Sequence, residues 1–407
     1  SIATNYDFAK KYLGNAIPLK ILLTILNFIV VLFLLLFWRS SPLTIYITML
    51  FVLESSIKSF CSLFYGTFQA HEKGKYQGIA NILLSIFSFI LILMAVYLDT
   101  GLNGITWAYV IANVVTILYA IFALLRNIVI PKIELDYTLW RKLIIWGIPF
   151  ALTGIFYTIY YSIDIVMLTE LVGDFATGIY NATYKLISVL TLFYSIYNAV
   201  IFPVMSKQYK SKSSLLVVSF EKSTKYLSMI TIPICIFCLF YSEHIITFIY
   251  GNQYDQAGAV LQILIWTVCF LFINGAASTA LNASHKEYSV TKIYFVAAIF
   301  NVILNLFLIP KYSFIGASIS TVLSEILILA LSLYVLNKVD IRPSKHLVSD
   351  VCTLCLSSAL LGVFLFVLKL NMWLAIPVTI VIYLILLFVT RSFDDDDKYV
   401  IKQIIGK

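Results

Sequence analysis

The chain has 407 residues and a formal net charge of +8; 61% of the residues are apolar and only 12% are charged. Because a water-soluble domain is nearer to about 45–50% apolar and about 25% charged, this composition excludes a soluble globular protein. The apolar residues form long uninterrupted runs, which predict an all-α integral membrane protein rather than a barrel of short alternating strands.

Twelve apolar runs of about 20 residues follow one another, and each is long enough to span a bilayer. The predicted spans are 16–38, 43–68, 78–98, 104–125, 142–168, 174–204, 226–250, 257–281, 289–310, 313–336, 347–369 and 372–390. Of the 28 Lys and Arg residues, only Arg39, Lys311 and Lys369 fall on the side opposite the N-terminus, while Lys58 and Lys185 lie inside spans. By the positive-inside rule both termini are expected in the cytoplasm, and the net charge reflects this topology rather than a nucleic-acid partner.

The first four spans repeat the seventh to tenth at an offset of 212 residues, so that Tyr76 coincides with Tyr288 and Gly104 with Gly316. Both copies start on the inner side, which predicts a parallel repeat. Because the fifth and sixth spans have no counterpart before the first, two N-terminal helices are expected to be missing. The predicted organisation is an incomplete N-terminal lobe, a cytoplasmic linker, a six-helix C-terminal lobe, an extra helix pair and a cytoplasmic tail, over 1–125, 126–141, 142–337, 338–392 and 393–407.

Three segments stand in order along the chain: GIPFALTGIFYTIYYSIDIVMLTELVGDFATGIYNATYKL, FIYGNQYDQAGAVLQIL and LNASHKEYSV. Together they resemble the O-antigen and exopolysaccharide flippases of the multidrug/oligosaccharidyl-lipid/polysaccharide exporter (MOP) superfamily. The resemblance runs from residue 1 to about 337 and independently places Ser1 after the family's second helix. It implies two pseudo-symmetric six-helix lobes with a central cavity, the first lobe being incomplete.

The resemblance implies a transporter that flips a lipid-diphosphate-linked oligosaccharide from the inner to the outer leaflet of the cell membrane, by alternating access, for surface polysaccharide assembly. The expected partners are the lipid-linked oligosaccharide, membrane lipids and glycan-assembly proteins; no nucleic acid, cofactor or metal is expected. An ion-coupled multidrug or cation antiporter of the same superfamily is the alternative. An enzyme is not expected, because the predicted external loops are short and the sequence has no P-loop or nucleophile–histidine arrangement.

Two charges interrupt neighbouring apolar spans: Asp164 in IYYSIDIVML and Lys185 in NATYKLISVL. Burying an unpaired charge is costly, and intramembrane charges usually face a protein interior. The two residues are predicted either to form a structural ion pair between the fifth and sixth spans or to line a cavity. Because a cation suits a diphosphate, Lys185 is the first candidate for substrate contact.

Glu54 and Lys58 are spaced i, i+4 on the second span, with the acid on the N-terminal side as a helical ion pair prefers. One interpretation is mutual neutralisation that lowers the cost of insertion. The other is a proton or ion site, or a contact with the substrate headgroup.

Glu325 lies near the middle of the tenth span with no partner in its own helix, and Asn113 occupies the equivalent position of the repeat. Glu325 is predicted to be either a protonated structural residue or a coupling-ion residue. Asp164 and Glu54 are the other candidate coupling-ion residues. Asn301 and Asn305, also spaced i, i+4, are expected to form interhelical hydrogen bonds.

A tyrosine-rich neighbourhood surrounds Asp164 and comprises Tyr157, Tyr160, Tyr161 and Tyr180. Tyrosines anchor helices at membrane interfaces, but they also contact sugars. Tyr157, Tyr161 and the adjacent Asn181 are therefore candidate substrate residues.

The segment GIPFALTG carries Gly147, Pro149 and Gly154 at the start of the fifth span. These residues predict either a fixed bend or a hinge at Pro149 and Gly154.

Two motifs are set aside. The pairs Cys235–Cys238 and Cys352–Cys355 have metal-site spacing but lie in apolar spans, so they are predicted to be apolar filling. The run DDDDK at 394–398 is interpreted as the start of an amphipathic helix in the cytoplasmic tail, because acidic residues suit a helix N-terminus.

Overall fold

A computed structural model describes residues 6–39, 41–71, 73–210, 215–390 and 392. Within these ranges the chain forms eleven α-helices and one short 3₁₀ turn at Asn252–Tyr254. The helices are α1 (Tyr6–Phe37), α2 (Pro42–Ala70), α3 (Lys75–Tyr97), α4 (Gly101–Asn127), α5 (Tyr137–Leu171), α6 (Asp174–Lys210), α7 (Leu215–Tyr250), α8 (Ala257–Ala283), α9 (Glu287–Lys338), α10 (Lys345–Leu368) and α11 (Met372–Val389). The predicted tail at 393–407, including the DDDDK run, lies outside the described residues.

The helix boundaries agree with the twelve predicted spans to within a few residues at most ends. Helix α9 contains a non-helical residue, Ser313, which divides it into segments 287–312 and 314–338 and so accounts for the ninth and tenth predicted spans. Of the described helices, nine are long and apolar enough to cross a membrane, and the bent α6 makes a tenth. The prediction of an all-α, multi-pass membrane protein is confirmed.

Several helix starts follow from local sequence. Ser41 precedes α2 and its hydroxyl accepts a hydrogen bond from the Thr44 amide at 3.1 Å, while Pro42 occupies the first helical position. Asn371 caps α11 in the same way by accepting from the Trp373 amide at 3.1 Å. Such caps satisfy amide groups that the first turn of a helix leaves without partners.

Two pairs of positions in the predicted repeat share backbone features. Gly101 and Ser313, which coincide at the offset of 212, both have a positive φ, +60° and +52°. Three residues further on, a Cβ at Gly104 would collide with Thr100 and a Cβ at Gly316 would collide with the Leu308 carbonyl. The backbone therefore turns at both positions, and three residues later each segment has a glycine where a side chain would collide with a neighbour.

The chain divides into two compact units, Ser1–Pro149 and Phe150–Lys407. In the first unit a small core is built around Leu13, Phe68 and Leu124 from three different helices. The non-helical segment 128–136 crosses the start of α1, since the Asp136 amide donates to the Asn15 side chain at 2.8 Å. The division into lobes at 1–125 and 142–337 with a linker at 126–141 stays a prediction.

The second unit has a larger core, centred on α8. Helix α8 packs against α6, α7 and α9, and α10 packs against α7. The buried face of α8 is lined by residues such as Leu264, Val268 and Ala277. This packing brings α5, α6, α8 and α9 together around the polar side chains described next.

Candidate functional site

The first polar group is built around Asp164 on α5, which is 2% exposed. Its Oδ2 accepts hydrogen bonds from the Tyr180 hydroxyl at 2.8 Å and from the Thr321 hydroxyl at 2.7 Å. Its Oδ1 accepts from the Asn305 side-chain amide, which also donates to Asn301 at 2.9 Å. These five residues, here called the Asp164 cluster, tie α5 to α6 and α9.

The Asp164 cluster is rich in oxygen atoms. Within the described ranges no three His, Cys, Asp or Glu side chains come together to hold a metal. The cluster instead offers one carboxylate with amide and hydroxyl oxygens, and the Oδ1 atom of Asn305 is buried without a hydrogen-bond partner. Oxygen ligands of this kind suit a proton or a hard cation rather than a transition metal.

The proposed ion pair between Asp164 and Lys185 is wrong. The Asp164 carboxylate is satisfied by Tyr180, Thr321 and Asn305, whereas Lys185 is exposed. The reason is helical geometry: Tyr180 faces Asp164, and a residue five positions further along α6 is rotated about 140° away. Asn181 is exposed as well.

The second polar group surrounds Glu325 on α9, which is 4% exposed. The carboxyl group accepts from the Tyr160 hydroxyl at 2.9 Å and from the Asn274 side-chain amide at 2.6 Å. It borders a cavity of about 320 Å³, here called the tyrosine pocket. The pocket is lined by Tyr157, Tyr160, Tyr161, Thr191, Tyr194, Ser195, Asn198, Leu271, Asn274, Gly275, Ser278, Tyr294 and Glu325.

The structure divides the predicted tyrosine neighbourhood between the two groups. Tyr157 and Tyr161 line the pocket with ring centroids 4.9 Å apart. Tyr160 bonds Glu325 rather than Asp164, and Tyr180 is the tyrosine that bonds Asp164. Asp164 itself is not among the pocket's lining residues.

Sequence reasoning missed the part of the pocket contributed by α8 and the start of α9. Asn274 interrupts an apolar span in LFINGAAST, which is the same signal that singled out Glu325. Tyr294 and Tyr194 gave no usable signal, because a tyrosine in a membrane helix is usually an interfacial anchor.

A third polar group lies in the first unit. Glu54 is 7% exposed, and its Oε1 is 2.6 Å from the Lys58 Nζ, so the predicted i, i+4 ion pair is present. The Asn113 side-chain amide donates to the same oxygen at 3.1 Å. The amide at the repeat position of Glu325 therefore serves an acid on a neighbouring helix.

The predicted hinge residues lie in α5, which continues as one helix from Tyr137 to Leu171. A Cβ at Gly154 would meet no neighbouring atom within 4 Å, so close packing does not explain this glycine. The boundary between the two compact units falls within the same helix, after Pro149. A hinge role for Pro149 and Gly154 stays a prediction.

Carboxylates, amides and tyrosine hydroxyls held inside apolar helices are typical of functional sites in polytopic membrane proteins, and the family matches that follow place this chain in the transporter class. The family model described as polysaccharide biosynthesis protein matches residues 3–209, about half of the chain, and the chain belongs to this family. A second model, MatE, matches residues 149–307. The resemblance to the polysaccharide flippases of the MOP superfamily is confirmed.

Individual relatives include membrane and polysaccharide biosynthesis proteins. An uncharacterized membrane protein of Methanocaldococcus jannaschii is 27% identical over 297 residues, which make up 71% of this chain and 58% of that protein. The capsular polysaccharide biosynthesis protein CapF of Staphylococcus aureus is 26% identical over 336 residues, 80% of this chain and 81% of CapF. Among solved structures, the lipid II flippase MurJ in its inward closed conformation matches with a TM-score of 0.74 at 14% identity, over 90% of this chain and 82% of MurJ. The last similarity shows the fold.

Proposed function

We propose that this chain is a transporter that moves a lipid-diphosphate-linked oligosaccharide from the inner to the outer leaflet of the cell membrane for surface polysaccharide assembly. The observation that carries the proposal is the set of polar side chains inside the spanning helices of a polysaccharide biosynthesis family member. Sugars and diphosphates cannot enter hydrocarbon without losing their hydrogen bonds to water, so a protein must replace those bonds. The likeness of the fold to a flippase supports the same conclusion.

Lys185, in the second unit, is the proposed contact for the diphosphate, and Lys58, in the first unit, is a separate candidate for contact with the substrate headgroup. Lys185 is exposed on α6, and the Lys58 side chain is 53% exposed although it pairs with Glu54. An ammonium group on a flexible stem can follow a phosphate as it moves. Asn181, one helical turn before Lys185, is proposed to assist.

Asp164, Glu325 and Glu54 are the proposed coupling residues. Transport against a gradient needs a group whose occupancy by a proton or cation differs between two states of the protein. The Asp164 cluster supplies carboxylate, amide and hydroxyl oxygens in one buried position. Glu54 is the weakest of the three candidates, because a lysine already neutralises it.

Alternating access requires part of the chain to bend. We propose that α5 bends at Pro149 and Gly154. The boundary between the two compact units falls directly after Pro149. A hinge consists of a few residues that absorb large changes in φ and ψ, and a helix weakened by proline and glycine is suited to this role. Both termini are proposed to be cytoplasmic. Glycan-assembly proteins are proposed as further partners.

An ion-coupled cation antiporter is the second candidate. The MatE match covers residues 149–307, which include Asp164 and Asn274. A buried acid beside several tyrosine rings also suits an organic cation, because ring faces attract positive charge. The two candidates differ in what they move, so a cell-based assay can separate them.

The experiment expresses the chain in a mutant that cannot export its surface glycan and scores glycan at the cell surface beside efflux of organic cations. Restored glycan supports the flippase; efflux without glycan supports the antiporter and refutes the main proposal. Lys185→Ala is expected to lower export about tenfold or more, the order expected when a charged contact is removed. Lys292→Ala, at an exposed lysine of the same unit, is the matched control and should export normally. Full export by Lys185→Ala at equal membrane level would remove Lys185 from the site.

A further inference from the structure

The tyrosine pocket has the dimensions of a site for one small ring. Its volume of about 320 Å³ lies at the lower end of small-molecule sites, roughly 300–1,000 Å³. A single pyranose fits such a space, whereas an oligosaccharide does not. Helices α5, α6, α8 and α9 all contribute to the wall, and every lining residue belongs to the second compact unit.

The aromatic part of the wall suits a sugar. Five tyrosines line the pocket, and the centroid of the Tyr157 ring lies 4.9 Å from that of Tyr161 and 5.9 Å from that of Tyr294. The C–H groups on one face of a pyranose carry slight positive charge and pack on the electron-rich face of such rings. The hydroxyl groups at the ring edge then need polar partners.

One buried hydrogen-bond acceptor, on a residue that lines the pocket, has no donor. Asn274 is 2% exposed, and its amide nitrogen donates both to the Glu325 backbone carbonyl at 2.9 Å and to the Glu325 carboxyl at 2.6 Å. The amide orientation is therefore fixed, and the Oδ1 atom has no hydrogen-bond partner. A buried acceptor left without a donor is costly, and a ligand hydroxyl or ammonium group would satisfy it.

The charge of the pocket limits which sugar can enter. Among the described lining residues, Glu325 is the acidic residue, and none of the others is Lys, Arg or His. The Asn274 Oδ1 lacks a hydrogen-bond donor, whereas the Glu325 carboxyl group already accepts from Tyr160 and from the Asn274 amide. A second carboxylate would lie beside Glu325 with no cation to offset it.

We propose that the tyrosine pocket binds one sugar unit of the transported glycan, and that this unit is neutral or carries an amino group but is not a uronic acid. This rests on the proposed flippase function and adds the class of sugar that the second unit selects. Tyr157 and Tyr161 stack on the ring, and Glu325 and Asn274 accept hydrogen bonds from its substituents.

The test measures sugar binding to the purified full chain in lauryl dimethylamine oxide, a detergent without a sugar headgroup. Saturation-transfer NMR compares methyl glucoside, glucosamine and glucuronate as probes. Methyl glucoside and glucosamine should bind, and glucuronate should bind about tenfold or more weakly because of like-charge repulsion. Equal binding of glucuronate, or no binding of any probe, would overturn the proposal.

Two variants locate the site. Glu325→Gln should reduce the discrimination against glucuronate about tenfold, while Glu170→Gln, at an exposed acid of the same unit, should leave it unchanged. Ser195→Trp adds bulk at an exposed lining position and should abolish binding without disturbing the core. Thermal unfolding of each variant checks folding, and retained binding by folded Ser195→Trp would overturn the pocket assignment.

This test is independent of transport. If cells expressing the chain export glycan but the purified protein binds no sugar in the pocket, this inference fails and the proposed function stands. If the sugars bind as described but no lipid-linked glycan is exported, the proposed function fails and the pocket stands.

Discussion

Replacing Lys58 by alanine tests whether the buried Glu54 depends on its neighbouring lysine. The Glu54 Oε1 lies 2.6 Å from the Lys58 Nζ, and the Glu54 side chain is 9% exposed while that of Lys58 is 53% exposed. Without Lys58, the carboxylate keeps one described side-chain donor, the Asn113 amide at 3.1 Å. The variant thus leaves an acid in an apolar helix with its charge uncompensated.

The size of the effect follows from this geometry. Two unit charges 2.6 Å apart attract with roughly 6 kcal/mol at an effective dielectric constant of 20. Breaking a fully buried pair costs about 3–5 kcal/mol, whereas exposed pairs contribute about 0–1 kcal/mol. Because one partner is buried and the other half exposed, we expect Lys58→Ala to lower the free energy of unfolding by about 2 kcal/mol.

A double-mutant cycle separates the pair from its parts. Glu54→Gln keeps an acceptor for Asn113 and should cost about 1 kcal/mol, and the combination of Glu54→Gln with Lys58→Ala should cost no more than Lys58→Ala alone. Reversible unfolding in mixed detergent micelles measures the free energies of unfolding of the wild type, the two single variants and the double variant. Costs that simply add would show that the two charges do not stabilise each other, and the reasoning above would be wrong.

Three further predictions concern the backbone and the helix ends. Ser313 adopts φ +52° where the repeat has Gly101, so Ser313→Gly should stabilise the protein by about 1 kcal/mol, seen as a higher unfolding temperature; a lower one would contradict the inferred strain. A Cβ at Gly14 would collide with the Lys132 carbonyl, so Gly14→Ala should destabilise the protein by about 2 kcal/mol in the same assay, and an unchanged value would show that segment 128–136 can move aside. Amides at the start of α5, with Lys11 nearby, lower the pKa of Asp136, so its contribution to stability is present above about pH 4 and is lost as the pH falls. Wild type should therefore exceed Asp136→Asn in unfolding temperature at pH 7, and the difference should shrink below about pH 4; a constant difference would rule out this origin.

The spans were predictable because membrane insertion demands long apolar runs, and the Glu54–Lys58 pair was predictable because i, i+4 geometry is local. The partners of Asp164 were not, because they depend on how α6 and α9 are rotated about their axes. A shift of one residue turns a helix by about 100°, which apolar patterning fixes poorly when every face is apolar. The tyrosine pocket was out of reach for the same reason: Asn274 and Glu325 are 51 positions apart and meet only through the packing of α8 against α9.

Asn113 and Glu325 occupy matching positions of the predicted repeat but differ in chemistry. The two residues coincide at the offset of 212 residues. Asn113 donates a hydrogen bond to Glu54, whose charge is also neutralised by Lys58. Glu325 is itself an acid, and its described hydrogen-bond donors are the Tyr160 hydroxyl and the Asn274 amide. Within the described residues, the acid that Asn113 serves in the first unit therefore has a lysine beside it, whereas the acid at the matching position of the second unit is held by neutral donors.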